Sequence, residues 1–97
     1  MNFGLREREV EAALVRAVRK RGGRALKFVS PGFDGVPDRI VLLMNGKFAF
    51  VELKRSGGKL RKLQEKRKSQ LQELGFQVFC LDDKNEIEVI LDAIQST

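Results

Sequence analysis

A chain of 97 residues with 19 Lys and Arg against 13 Asp and Glu carries a formal charge of +6, which favours polyanionic partners. The absence of His excludes imidazole-ligated zinc and a histidine general base, so a metal here would take oxygen donors, which points to Mg²⁺ or Mn²⁺. There is no run of the roughly 18 to 20 apolar residues that span a bilayer, the first residues lack a secretory apolar stretch, and the single Cys80 has no partner within the chain. The expected setting is therefore a reducing cytoplasm, with one compact domain over residues 1–97 and no membrane partner.

Taken in chain order, the first element is a helix over about 5–21. Val10, Ala13, Leu14, Ala17 and Val18 recur at spacings of three and four and form one apolar stripe, and Gly22-Gly23 stops it. A short strand is expected around 25–29, followed by a breaker-rich loop over 30–37. Residues 39–44 and 48–53 read as two strands joined at Asn45-Gly46. After Ser56-Gly57-Gly58 comes a second helix reaching about 74, with Leu60, Leu63, Leu71 and Leu74 as its apolar positions and Gly75 as its end. The apolar run 76–81 has the length of a buried parallel strand, in which Cys80 would be packing. A last helix begins near Asp83, with Asp83 as N-cap and Glu86 completing a capping box, and its core side is Ile87, Ile90, Leu91 and Ile94. The order α-β-β-β-α-β-α predicts an α/β fold with a mixed sheet, the strand-helix-strand unit over 48–81 forming a right-handed crossover.

The stretch richest in chemistry is Gly35-Val36-Pro37-Asp38-Arg39, then Phe50-Val51-Glu52-Leu53-Lys54. Side chains alternate along a strand, so Phe48, Phe50, Glu52 and Lys54 share a face that begins apolar and ends in an acid and a base. Charges in such a row are costly unless they are paired or bind an ion. Pro37-Asp38 followed by Glu52-x-Lys54 resembles the PD-(D/E)xK nuclease pattern. With Gln64 added, the motifs resemble the VRR-NUC (virus-type replication-repair nuclease) branch from the first helix to the strand ending near Leu81. The resemblance implies a restriction-endonuclease-like core and a hard divalent cation, Mg²⁺ or Mn²⁺, held by Asp38, Glu52 and the Leu53 carbonyl. Lys54 would then stand beside the attacking water.

Register tests this reading. A two-residue Asn45-Gly46 turn would pair Asp38 with Leu53 and send the two acids to opposite faces. A three-residue loop, Met44-Asn45-Gly46 with Gly46 left-handed, sets Asp38 opposite Glu52, with Ile40, Leu42, Phe48 and Phe50 on the same face. The odd-length loop, or an equivalent bulge, is therefore expected. In the family a first-helix glutamate completes the acid cluster. Glu11 borders the apolar stripe and is the expected residue, with Glu7 one turn earlier as its competitor. Gln64 matches a family glutamine that would bond a phosphate oxygen or a metal-bound water.

Arg55, Lys59, Arg61 and Lys62 follow the strand bearing Glu52, and Lys66, Arg67 and Lys68 continue the charge along the second helix. They suit contacts to a nucleic-acid backbone, as does that helix's N-terminus after Gly57-Gly58. Lys27 and the loop Ser30-Pro31-Gly32 also resemble family residues, without an assigned role. Family members made of the nuclease domain alone are associated with branched DNA, particularly four-way junctions. The expectation is therefore a metal-dependent endonuclease of branched DNA, serving repair or a similar process. A C2 homodimer matches the junction's symmetry, and a phage or bacterial origin is in keeping with the resemblance. The alternatives are a non-catalytic DNA-binding module of the same fold and an RNA endonuclease.

Overall fold

The computed structural model describes residues 3–55 and 57–97, with side chains from Glu7 onward. Helix α1 (Phe3–Lys20) buries Val10, Leu14 and Val18, the centre of the expected stripe. It ends in a Schellman closure: Gly23 N–H donates to Val18 O at 3.0 Å and Gly22 N–H to Arg19 O at 2.9 Å, with Gly22 left-handed at φ 80°. The chain then enters a four-stranded sheet of order β1 (Arg24–Lys27), β2 (Arg39–Leu43), β3 (Lys47–Leu53) and β4 (Val78–Leu81). The first three strands are antiparallel neighbours, and β4 lies parallel to β3, so the sheet is mixed as the sequence implies. β1 is displaced from the expected 25–29 and leaves Val29 exposed. Among the described residues no helix is long and apolar enough to cross a membrane.

The β2–β3 connection is the three-residue one. Leu43 pairs with Lys47, and Met44–Gly46 form a single tight turn in which Asn45 (φ 66°) and Gly46 (φ 71°) are both left-handed. Asn and Gly are the residues that enter this region at least cost. The turn thereby fixes the pairs Leu42↔Phe48, Ile40↔Phe50 and Arg39↔Val51, and one further step brings Asp38 opposite Glu52.

This register divides the sheet into two faces with different work. Val41, Leu43, Ala49, Val51, Leu53 and Leu81 face α1 and α3 (Ile87–Gln95), whose Ile87, Ile90, Leu91 and Ile94 complete the main core as the sequence predicts. The other face carries an aromatic cluster in which Phe48 and Phe76 flank Phe50 and Phe28 stacks on it, with ring centroids 4.9 to 5.7 Å apart.

Helix α2 (Lys62–Glu73) corrects the sequence reading. It begins later than expected, buries none of its own residues, and leaves Leu63 and Leu74 exposed. Much of its attachment is made by the loop before β2. Arg67 donates from Nε to Asp34 O at 2.6 Å and lies over the Phe33 ring at 3.9 Å. Gly35, left-handed at φ 86°, passes so close that an added Cβ would stand 2.7 Å from Leu63 Cγ. Ser56, placed in the linking loop by sequence, lies outside the described residues. Two further expectations change. Cys80 is exposed, because its position opposite Glu52 turns it to the face away from the main core. Asp83 does cap, accepting from Asn85 N at 2.9 Å, but the turn it starts is a short 3₁₀ one (Lys84–Glu86), so α3 begins at Ile87 and the expected Glu86 box gives way to that turn.

The two loop glycines separate two costs. Gly46→Ala meets no atom within 4 Å, so only the left-handed backbone is penalised, and about 1 kcal/mol of stability should be lost. Gly35→Ala adds a collision with Leu63 and should lose roughly 3 kcal/mol, since overpacking joins the backbone penalty. Urea unfolding of the two variants checks the ranking, and equal losses would contradict it.

Candidate active site

Asp38 is held at three points. Its carbonyl accepts from Phe28 N at 2.8 Å, which extends the β1–β2 pairing by a residue. Its backbone N–H donates to Glu52 Oε1 at 3.2 Å, and its carboxylate Oδ2 accepts from Leu53 N at 2.9 Å. Buried Pro37 precedes it and restricts the chain entering β2. Asp38 and Glu52 thus each bond the backbone at the other's end of the strand pair, an arrangement that only the observed register allows.

Glu52 is 3% exposed, the only polar or charged residue among those described that is classed as buried. Its Oε2 accepts from Gln64 Nε2 at 2.5 Å, while Gln64 Oε1 accepts from Arg61 N at 2.9 Å. The glutamine that the sequence singled out therefore ties the start of α2 to the buried acid. Burial, then the hydrogen bond and charge of Asp38, push the Glu52 carboxyl up to about 8, against the weaker opposing pull of Lys54. Lys54 is half-buried on the same face, its backbone N–H donates to Leu81 O at 2.9 Å, and the turn at Gly58 passes near its Cβ.

Such a pair tests well against a hard divalent cation. All its donors are oxygens, and a cation would relieve the repulsion and desolvation that hold Glu52 protonated. Asp38, Leu53 and Glu11 line one open cleft of about 410 Å³ together with Glu7, Arg8, Lys27, Phe28 and Val29. Glu52 lies behind Asp38 rather than in the lining.

The first-helix acid stands at the rim of that cleft, turned toward Arg39. Among the described residues no group of three or more acids is arranged to hold a metal. Glu11 reaches the cleft but its Oε2 is engaged by Arg39, at 2.9 Å from Nη2 and 3.3 Å from Nε. Glu7 lines the same cleft, so the structure leaves both candidate glutamates of the first helix at its rim.

Of the expected backbone-binding cations, Arg55, Lys59, Arg61 and Lys62 are all exposed beside β3 and the start of α2. Arg67 is removed from that set by its bonds to Asp34 and to Gln70 Oε1. The first turn of α2 is also capped by Gln64, which leaves that terminus less suited to a phosphate than the sequence suggested. Arg8 and Lys27, neither given a role from sequence, stand at the cleft. Only the tertiary approach of α1 to β1 reveals them; a lone Arg in a helix and a lone Lys in a strand carry no local signal.

Comparison with known proteins bears on this geometry. The family model described as VRR-NUC domain matches residues 2–83. The candidate nuclease p44 of Acyrthosiphon pisum secondary endosymbiont phage 1 is 49% identical over 90 residues, covering 93% of this chain and 96% of that protein. A solved VRR-NUC domain superposes with a TM-score of 0.83 over 90% of this chain and 95% of its own, at 24% identity, a likeness that speaks for the fold.

The raised Glu52 carboxyl sets a pH dependence for the metal-free protein. Below about 4.5 the group is protonated folded and unfolded; between there and about 8 only the folded state keeps its proton. Its contribution to stability is thus full at low pH and is lost as pH rises through that window. Glu52→Gln, which cannot ionise, should gain thermal stability relative to the parent as pH goes from 4.5 to 8. Parallel melting curves for the two proteins across the range would contradict the assignment.

Proposed function

The chain belongs to the VRR-NUC family of nuclease domains, and from that premise we propose that it is a metal-dependent DNA endonuclease selective for branched DNA, acting at Asp38, Glu52 and Lys54. The observation that carries the reading is the hydrogen-bonded pairing of exposed Asp38 with buried Glu52 across β2 and β3. Divalent-metal dependence is general in this family, and two carboxylates with no histidine suit Mg²⁺ or Mn²⁺.

A divalent cation at this pair supplies Lewis-acid polarisation of the scissile phosphate and activation of water. Asp38 and Glu52 would hold it, with the Leu53 carbonyl as a further donor. Leu53 is fixed for that role because its N–H is tied to Asp38. Gln64 keeps Glu52 oriented while the carboxylate is ionised, since an amide N–H donor favours the charged form. Lys54, confined by β4 on one side and the Gly58 turn on the other, orients the attacking water and steadies its deprotonated form. Arg8 and Lys27 at the cleft, with exposed Arg55, Lys59, Arg61 and Lys62 beside β3 and the start of α2, hold the phosphates of the substrate backbone without reading bases.

Branched-DNA selectivity and a C2 homodimer go together. A junction of approximate twofold symmetry needs two cuts, and one domain of this size makes one. The aromatic face supports pairing: Leu26, Leu42 and Phe76 remain exposed there beside half-buried Ile40 and Phe48, a patch that a second copy would cover.

The test incubates four-way junction, duplex, single-stranded DNA and RNA with Mg²⁺, Mn²⁺ or EDTA. Cleavage should favour the junction, stop in EDTA, and fall by about 10³-fold or more in Glu52→Gln and Asp38→Asn, as expected when several kcal/mol of metal stabilisation is lost. Cutting that survives Glu52→Gln sinks the proposal, and preference for RNA transfers it to the other substrate. Light scattering should give twice the mass of one chain, and a monomer that still cuts junctions would remove the symmetric arrangement.

A further inference from the structure

The residue after Asp38 has a task of its own. Arg39 turns to the opposite face from Asp38, toward α1, and its side chain is 11% exposed. Nη1 donates to Ala25 O of β1 at 2.9 Å, which fixes the plane of the guanidinium. Nη2 and Nε then close on a single oxygen of Glu11, Oε2, and no described residue bonds the other oxygen, Oε1. Glu11 lines the cleft that also holds Asp38 and Leu53. One arginine therefore joins the β1 backbone, the strand carrying the site aspartate and the helix carrying the rim glutamate.

We propose that Arg39 is a positioning residue which holds Glu11 at the mouth of the cleft with one carboxylate oxygen engaged and the other available to the cation. The inference rests on the metal-dependent reading of the Asp38–Glu52 pair. The pairing is unlike a fortuitous surface bridge, because the arginine side chain is nearly buried and already committed to a backbone carbonyl. Nor is it needed merely to hold α1. The helix is seated by buried Val10, Leu14 and Val18, and at its far end Arg21 bonds Glu88 at 2.9 Å and Asp92 at 2.8 Å on α3. Arg39 is the attachment at the site end, and it acts on the one glutamate there that it can orient. Groups that orient ligands in this way commonly change metal affinity by 10- to 100-fold when removed.

Mn²⁺ titration by calorimetry on DNA-free protein reads this directly. Arg39→Met should weaken Mn²⁺ binding by about 10-fold, Glu11→Gln should do the same, and the double variant should be no weaker than either alone. The thermal midpoint in EDTA monitors structure: a purely anchoring role lowers it and leaves the affinity alone. Arg39→Lys keeps the charge without the fork that reaches Ala25 and Glu11 together, so it should also bind Mn²⁺ less tightly, and its affinity decides the matter if the methionine variant does not fold. Parental affinity in the Arg39 variants, or losses that multiply in the double variant, overturns the proposal. Glu52→Gln in the same titration keeps the two readings apart. If it abolishes binding while Arg39 variants bind normally, only the positioning role falls; if the parent protein binds no Mn²⁺, both fall.

Discussion

The alignment of β2 with β3 is the constraint on which the rest depends. Side chains alternate with a period of two, so a slip of β2 by one residue against β3 would turn Asp38 away from Glu52 and put Ile40 where Val41 now packs. What prevents the slip is local and global at once. Asn45 and Gly46 accept the left-handed conformations that a three-residue connection requires, and the apolar residues of each face find their proper helices only in that alignment. Asp38 then bonds the Leu53 N–H while Glu52 receives the Asp38 N–H, so the acids themselves close the end of the ladder. Function and folding select the same register.

A buried carboxyl is a liability, and the fold meets it with a small polar network. Glu52 is surrounded by the Asp38 amide, the Gln64 amide and the charge of Lys54, while Asp38 and burial act against its ionisation. Gln64 reaches it because α2 is strapped in place by Arg67 on Asp34 and Phe33 and by the close passage of Gly35 over Leu63. The glycine of Gly35-Val36-Pro37-Asp38 thus serves the site at a distance: it lets the helix approach, and the helix presents the glutamine. That explains how a helix that buries none of its residues can still be positioned.

Much of this was legible from residue pattern. The stripe on α1, the four buried residues of α3 and the parallel β4 follow from periodicity, and the main core is assembled from those positions; the facing of Asp38 and Glu52 follows instead from requiring a shared site, since Asn45-Gly46 by itself favours the two-residue turn. What could not be read were features made by tertiary approach. Leu60, Leu63, Leu71 and Leu74 carry helical spacing, yet the loop from Ser30 to Pro37 and not the sheet is α2's chief anchor, so the spacing overstated their burial. Cys80 sits in an apolar run, but one strand has two faces and its neighbour across the ladder is Glu52. Glu11 was singled out, with Glu7 as competitor, through the family resemblance; that Arg39 would grip it was not, because the two lie 28 positions apart and an ion pair leaves no periodic trace.

The positive charge is also less uniform than a total of +6 implies. Arg21, Arg39 and Arg67 each make two or more bonds within the fold, to carboxylates, backbone carbonyls or a side-chain amide. Among the described residues lysine supplies a single side-chain bond, from Lys47 to the Thr97 carbonyl. The division follows from chemistry: a planar guanidinium satisfies several acceptors at fixed angles, whereas an ammonium on a flexible stem is a hydrated point charge. A chain this short needs both kinds, because its core is thin and its proposed substrate is a polyanion. Arginines committed to the fold are less able to grip phosphate, so on the proposed reading substrate contact is left to exposed cations, Arg8 and Lys27 at the cleft and Lys59, Arg61 and Lys62 near the start of α2. On that reading the cations that meet phosphate are solvent-facing ones, while the acids are those that the register of β2 and β3 brings together.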